Sequence, residues 1–278
     1  MPRFARLTFP SIAMTASMLV CSSAVLSRRR VTGVTPMQGP QSTNGNADAD
    51  RVLRVYADRS ARGLSRRYAN HRPENLLALH QIERVLFTEL VAHGWTDFGR
   101  LDVLDVGCGS GGVLVRLIGL DVDPARAHGV DVLEDAIGLA RSRLPTVDLR
   151  VGNGAELPYA DDSMDLVLQF TMVSSILDAA VRAKVAREMS RVVRPGGLIV
   201  SYDFRINPLN PDARGLRRGE LETLFPGHGI KARAVTLAPP IARLVASRSY
   251  GMAAALQALV PLRTHLLAFV TPPESGAR

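Results

Sequence analysis

The chain has 278 residues, 46% hydrophobic and 22% charged, enough to bury the core of one ordinary domain with extensions. Its net charge of +8 raises nucleic acid or an anionic membrane surface as partners. The excess is mostly arginine scattered along the chain, and the 5% aromatics do not interleave with it as a single-strand stacking platform requires, so nucleic acid is disfavoured. Cys21, Cys108 and six dispersed histidines lack the spacing of a disulfide framework or a zinc site. No metal is expected, and a cytoplasmic, reducing location is the simplest reading.

Residues 7–27 form an uncharged run behind Arg3 and Arg6, which superficially fits a signal peptide or short anchor. Pro10 and many Ser and Thr dilute it, and Arg28, Arg29 and Arg30 oppose export of the downstream chain. Residues 31–50 are rich in Gly, Pro, Asn and Ser and read as a disordered linker. Residues 1–50 are therefore expected to be an extension, targeting-like or over-long with Met37 as an alternative start, ahead of a folded domain at 51–278.

Within that domain, Leu79, Ile82, Leu86 and Leu90 give residues 75–93 the spacing of an amphipathic helix. Strand-like runs occur at 101–106, 128–132, 147–152, 164–170, 197–204, 231–237 and 265–270. Helical segments at 112–120, 134–144 and 180–193 separate the first five. This alternation implies right-handed crossovers and a parallel, doubly wound α/β sheet with helices on both faces. Arg194, Pro195, Gly196 and Gly197 predict a helix stop and a turn before the fifth strand. The last two strands are separated by an apolar helical pair at about 239–261, read as an insertion.

The chemistry concentrates in VLDVGCGSGG, residues 103–112. Gly107, Gly109 and Gly112 satisfy a dinucleotide fingerprint, whereas Gly107, Gly109 and Gly111 satisfy the turn associated with S-adenosylmethionine. In either case small residues let backbone approach a ligand while a helix N-terminus points its N–H groups at it. Asp105, two residues before the first glycine, suits the ammonium of a methionine moiety and favours the second reading. Asp131, about 24 residues beyond Gly107, can accept from two ribose hydroxyls in either. Asn153, Gly154 and Leu157 offer a polar edge and an apolar wall to an adenine.

VLDVGCGSGG, GVDV, GNGAELPYADDSMDLV and RVVRPGGLIVSYD, in this order, resemble the successive motifs of the class I S-adenosylmethionine-dependent methyltransferases, particularly the type 11 group. The resemblance is strong over 101–204 and looser towards the C-terminus. It implies seven strands in the order 3-2-1-4-5-7-6 with the last antiparallel. It further implies Gly107, Cys108 and Gly109 against the amino acid part of the cofactor, Asp131 on the ribose, Asn153 and Gly154 at the adenine, and Gln169 near the sulfonium and methionine amine. Asn153 and Gly154 depart from the Asp then Ala common in the family, which forfeits a charge-assisted hydrogen bond.

Methyl transfer from a sulfonium needs alignment and water exclusion more than a strong base. The histidine that many relatives place after the fourth strand is missing from 171–178. Tyr202 and Asp203 at the end of the fifth strand are the catalytic candidates, with Asp203 as base or merely paired to an arginine. Tyr56, Arg59 and Tyr68 are candidates for a lid holding the cofactor carboxylate. The insertion is read as core packing, a substrate cap or a peripheral membrane contact. The Asn-Pro run at 206–211 loosely resembles enzymes of polysaccharide or glycolipid modification. The expected function is methyl transfer to a small-molecule, glycan or lipid-linked acceptor, at oxygen. The alternatives are a nucleoside-binding module without turnover and an NAD-dependent oxidoreductase.

Overall fold

The computed structural model describes residues 44–61, 69–205 and 212–273. The expectations for residues 1–43, the Asn-Pro run, Tyr68 and the side chain of Arg59 lie outside the described residues.

Helix α1 (Asn44–Ala61) begins inside the stretch read from sequence as linker. Its opening Asn-Gly-Asn is a poor helix former, and a long-range contact offsets this: the Arg51 guanidinium, paired with Asp48 at 2.9 Å, donates to the Ser175 carbonyl. Helix α2 (Pro73–Ala92) starts on a proline, whose missing N–H costs nothing in a first turn. Its apolar residues divide between two surfaces. Ile82, Leu86 and Leu90 join the sheet core, while Leu77 packs with a smaller C-terminal cluster.

The alternation then runs β1 (Val103–Val106), α3 (Gly112–Ile118), β2 (Ala127–Asp131), α4 (Glu134–Arg143), β3 (Asp148–Val151), β4 (Met164–Phe170), α5 (Ala179–Val192), β5 (Val193–Phe204), α6 (Arg218–Leu224), β6 (Gly229–Leu237), α7 (Pro239–Val245), α8 (Tyr250–Ala258) and β7 (Arg263–Thr271). The seven strands form one sheet in the order β3-β2-β1-β4-β5-β7-β6. All neighbours are parallel except β7, which is antiparallel to both β5 and β6. Strand β6 therefore runs in the same direction as β1 to β5. The α7–α8 pair lies beyond its carboxyl end, where the sequence places an insertion.

Strand pleating sorts the core. Val103, Leu166, Leu168, Leu198 and Val200 point to the face covered by α2, α3 and α4. Leu104, Val106, Val167 and Ile199 point to the opposite face, against Val181, Val185 and Met189 of α5 and Leu221 of α6. Helix α5 is capped by Asp178, whose carboxylate accepts from the N–H groups of Ala180 and Val181.

One expected turn takes a different form. The helix stops at Val192 as read, yet Arg194 to Gly197 lie within β5 as an irregularity, the pairing shifting register between Met164↔Val193 and Leu166↔Leu198. Gly196 has φ +76°, and a Cβ at Gly197 would come within 2.7 Å of the Asp165 carbonyl, so both glycines are needed for the chain to pass this bulge.

Candidate functional site

A cavity of about 270 Å³ lies at the carboxyl ends of β1 to β4, where strand order reverses between β1 and β4. Each strand contributes residues at or just past its end: Gly107 and Gly109 after β1, Asp131 to Leu133 from β2, Gly152 to Gly154 after β3, and Phe170 to Met172 from β4. Asp48, Ala49, Val52 and Tyr56 of α1 form a further wall.

The turn after β1 distinguishes the two glycine readings. Gly107, Gly109 and Gly111 have φ of +77°, +52° and +79°, the left-handed region that L side chains avoid. A Cβ at Gly107 would come within 2.5 Å of Met172, and one at Gly111 within 2.8 Å of Leu144. Gly112 instead opens α3, and a Cβ there would meet nothing within 4 Å. The positions that must be glycine are those of the S-adenosylmethionine-type turn, not the dinucleotide fingerprint.

Two carboxylates sit at this turn. Asp131 accepts from Gly109 N at 2.8 Å through one oxygen and from Leu133 N at 2.9 Å through the other. These bonds fix the carboxylate at the cavity wall and leave each oxygen a lone pair for a hydroxyl donor. Burial nevertheless raises its pKa. Asp105 lies in β1, 1% exposed, and neither carboxylate oxygen has a hydrogen-bond partner among the described residues. Burial, reinforced by the Asp131 charge, pushes its pKa up to about 8. Asp105 is not among the cavity-lining residues; it lies at the turn as a buried acid without partners, an arrangement that favours a nearby cation.

At the third strand end, Asn153 closes its own turn by accepting from Ala155 N at 2.9 Å. Its side-chain N–H groups remain available to an adenine edge. A Cβ on Gly154 would lie 3.0 Å from Val106, so the chain is packed closely there. Leu157 is buried in the core and is not among the cavity-lining residues.

Four other sequence candidates do not reach the cavity wall. Cys108 is buried under the turn, its sulfur 2.9 Å from where a Gly129 Cβ would stand, and burial pushes its thiol pKa well above the ordinary range. Gln169 points into the protein, donating to Ser201 Oγ at 2.5 Å and Asp203 Oδ2 at 2.9 Å and accepting from Met172 N and Val173 N. Asp203 also accepts from Ser174 N at 3.3 Å, and burial pushes its pKa up to about 6. Tyr202 shares a 2.9 Å hydrogen bond with Thr236 and stacks on His265, ring centroids 5.0 Å apart. Gln169 and Asp203 instead brace the segment after β4 that forms the cavity wall. Thr171 there has φ +59°, a costly conformation for a β-branched residue.

The sequence reading singled out Tyr56 in the N-terminal segment but not Asp48 or Arg51. Arg182 also escaped notice. Fully buried, it donates to the carbonyls of Ile176 and Arg214 and pairs with Glu220 at 2.7 Å, tying α5 and α6 to the cavity wall.

Residues 103–197 match the family model described as "Methyltransferase domain". Over 146 residues the chain is 38% identical to a Mycolicibacterium smegmatis protein named "Probable S-adenosylmethionine-dependent methyltransferase", covering 47% of this chain and 52% of that one. A norajmaline N-methyltransferase from Rauvolfia serpentina is 31% identical over 131 residues, covering 44% and 42%. The chain thus spans about half the length of the curated relatives it matches. In fold, it is similar to a proposed Haloferax volcanii methyltransferase solved with the Trm112 activator, with TM-score 0.52 and 17% identity over 84% of this chain and all of that one.

Residues 103–197 are thus similar to methyltransferase domains, and about half of the chain is similar to a protein named as a probable S-adenosylmethionine-dependent methyltransferase. The seven-stranded order expected from the motif resemblance is the order observed. The residues on the cavity wall fit S-adenosylmethionine, the anchored Asp131 for a ribose diol and the open side of Asn153 for adenine, while the partnerless Asp105 lies at the turn without lining the cavity.

Proposed function

We propose that the protein transfers the methyl group of S-adenosylmethionine to an oxygen of a small-molecule, glycan or lipid-linked acceptor. The observation that carries this reading is the pairing of the two carboxylates: Asp131 fixed by two backbone donors, and Asp105 buried without a partner at the same turn. The required glycines of that turn add support.

Bound S-adenosylmethionine supplies an activated methyl on a sulfonium. The protein's task is to hold the acceptor in line and keep water out. Val52, Val130, Phe170, Met172 and Ile176 give the cavity apolar walls, and α1 closes one side. Methylation of an acceptor hydroxyl would release its proton, which a side chain on the cavity wall would have to take up. Among the described residues, Asp131 and Asp48 are the carboxylates on the cavity wall. Asp131 is assigned to the ribose hydroxyls, so Asp48, held by Arg51, is the side chain assigned to receive that proton.

The reading is tested by incubating the protein with methyl-labelled S-adenosylmethionine and an extract fractionated into lipid, glycan and small-molecule pools. Label in one pool, stable to mild alkali and released as methyl iodide by hydriodic acid as a methyl ether is, supports O-methylation. No transfer by a protein that still binds S-adenosylhomocysteine indicates a nucleoside-binding module without turnover.

A further inference from the structure

The α7–α8 insertion presents an unusual surface. Leu244, Met252, Leu259 and Val260 are 63%, 56%, 53% and 51% exposed. Between Tyr250 and Leu262 there is no charged residue, and the one polar amide, Gln257, is buried and directed at the Leu77 carbonyl. The outward positions of α8 and the turn after it are Gly, Met, Ala, Leu, Val and Pro. A soluble helix pair ordinarily turns charged residues to water and apolar ones inward. In α8, Ala253 and Gln257 face inward and the larger apolar side chains face out.

Along this stretch of sequence the charge has one sign, and the carboxylate facing it from α2 is the buried Glu74. From residue 223 to residue 273 the sequence contains neither Asp nor Glu, while Arg243, Arg248 and Arg263 flank or enter the insertion. Arg243 and Arg248 are exposed beside Leu244, and Arg243 lies near the buried Glu74 carboxylate. The other two cations of the stretch, Lys231 and Arg233, are compensated by Glu89 and belong to the opposite end of β6.

Topology places this face where it bears on function. Because β6 runs parallel to β5, the insertion leaves the same edge of the sheet as the cavity. It stands three strands from β4, roughly 15 Å along that edge. Tyr250 OH bonds His80 Nδ1 at 2.9 Å, joining the insertion to α2. Among the described residues no helix is long and apolar enough to cross a membrane.

We propose that the α7–α8 insertion is a peripheral docking surface for an anionic lipid bilayer, its apolar side chains entering the interface while Arg243 and Arg248 meet acidic headgroups. Docked in this way, the cavity edge faces the membrane. The proposal concerns the surface alone and stands or falls independently of methyl transfer.

The test is co-sedimentation of the full chain with phosphatidylcholine vesicles with and without phosphatidylglycerol. Binding should strengthen by about tenfold or more with phosphatidylglycerol and weaken as salt rises. The double variant Leu244→Glu/Met252→Glu should lose at least about tenfold of that binding while keeping its melting temperature and its affinity for S-adenosylhomocysteine. Leu139→Glu, a charge at an equally exposed leucine on α4, should bind as the unmodified chain does. Equal partitioning into both vesicle types, or anionic-vesicle binding unchanged in the double variant, overturns the proposal. So does a concentration-dependent dimer that the double variant dissociates, which would assign this face to a second copy of the chain.

Discussion

Replacing Asp105 with Asn should stabilise the ligand-free protein and impair cofactor binding. The carboxyl is fully buried without a partner, with its pKa pushed up to about 8 from an ordinary value of 3.8. An acid whose folded pKa is raised is ionised in the unfolded chain before the folded one, so stability is lost as pH rises from 4 towards 8. At pH 7 the linkage amounts to about 4 kcal/mol, without a solvent discount because the group is buried. An amide does not ionise in either state, although its own unpaired polar atoms cost about 1–3 kcal/mol. The net gain expected for Asp105→Asn is about 1–3 kcal/mol at pH 7, or about 2–12 °C in melting temperature for a domain of this size. Calorimetric melts between pH 5 and 8 should show the unmodified chain losing about 1.4 kcal/mol per pH unit from this group, a slope the variant lacks. Titration with S-adenosylhomocysteine should show affinity of the unmodified chain rising with pH up to about 8, because an ammonium ligand favours the ionised carboxylate, and a variant weakened at least about tenfold. A less stable variant with an unchanged pH slope would refute the reasoning, since Asp105 would then be ionised and partnered in the ligand-free protein.

Removing Arg182, as in Arg182→Leu, abandons two buried carbonyls and Glu220 together; the melt should show a loss of about 3 kcal/mol, and cofactor affinity should fall because Ile176 lines the cavity. Tyr202→Phe removes only the bond to Thr236 and should cost about 1 kcal/mol with kcat unchanged, whereas Asp48→Asn should lower kcat with little change in S-adenosylhomocysteine affinity. Loss of turnover in Tyr202→Phe would restore Tyr202 to the catalytic role. Burial lowers the His265 pKa from 6.5 to about 4, so the unfolded chain takes up its proton first and stability is lost as pH falls from 6.5 to 4. His265→Phe should remove about 3 kcal/mol of that acid-side loss in pH-dependent denaturant melts, and an unaltered acid limb would contradict it.

The strands and the crossovers were legible because their apolar runs and helical spacings are local, and all seven strands occur where the periodicity put them to within a few residues. The glycine turn was legible down to its two alternatives, and the backbone angles then separated Gly111 from Gly112. Side-chain direction at the strand ends was less accessible. Tyr202 and Asp203 read as facing a ligand at the end of the fifth strand, but β7 pairs with β5 through Phe204 and holds both within the sheet. Gln169, adjacent in the sheet, is drawn into the same internal network. The helical start at Asn44 was hidden because the contact that holds α1 near the cavity is Arg51 on Ser175, far away in sequence. The Pro-Gly-Gly signal correctly ended a helix, yet the parallel neighbour β4 extends far enough to pair across it and makes it a bulge.

The central claim is that this cavity holds S-adenosylmethionine and not a dinucleotide. Isothermal titration of the full chain with S-adenosylhomocysteine and, separately, with NAD tests it most directly, with Asp131→Ala as the matched variant. The account predicts saturable one-to-one binding of S-adenosylhomocysteine, severely weakened in Asp131→Ala, and no heat with NAD. Saturable NAD binding with a silent S-adenosylhomocysteine titration would contradict it.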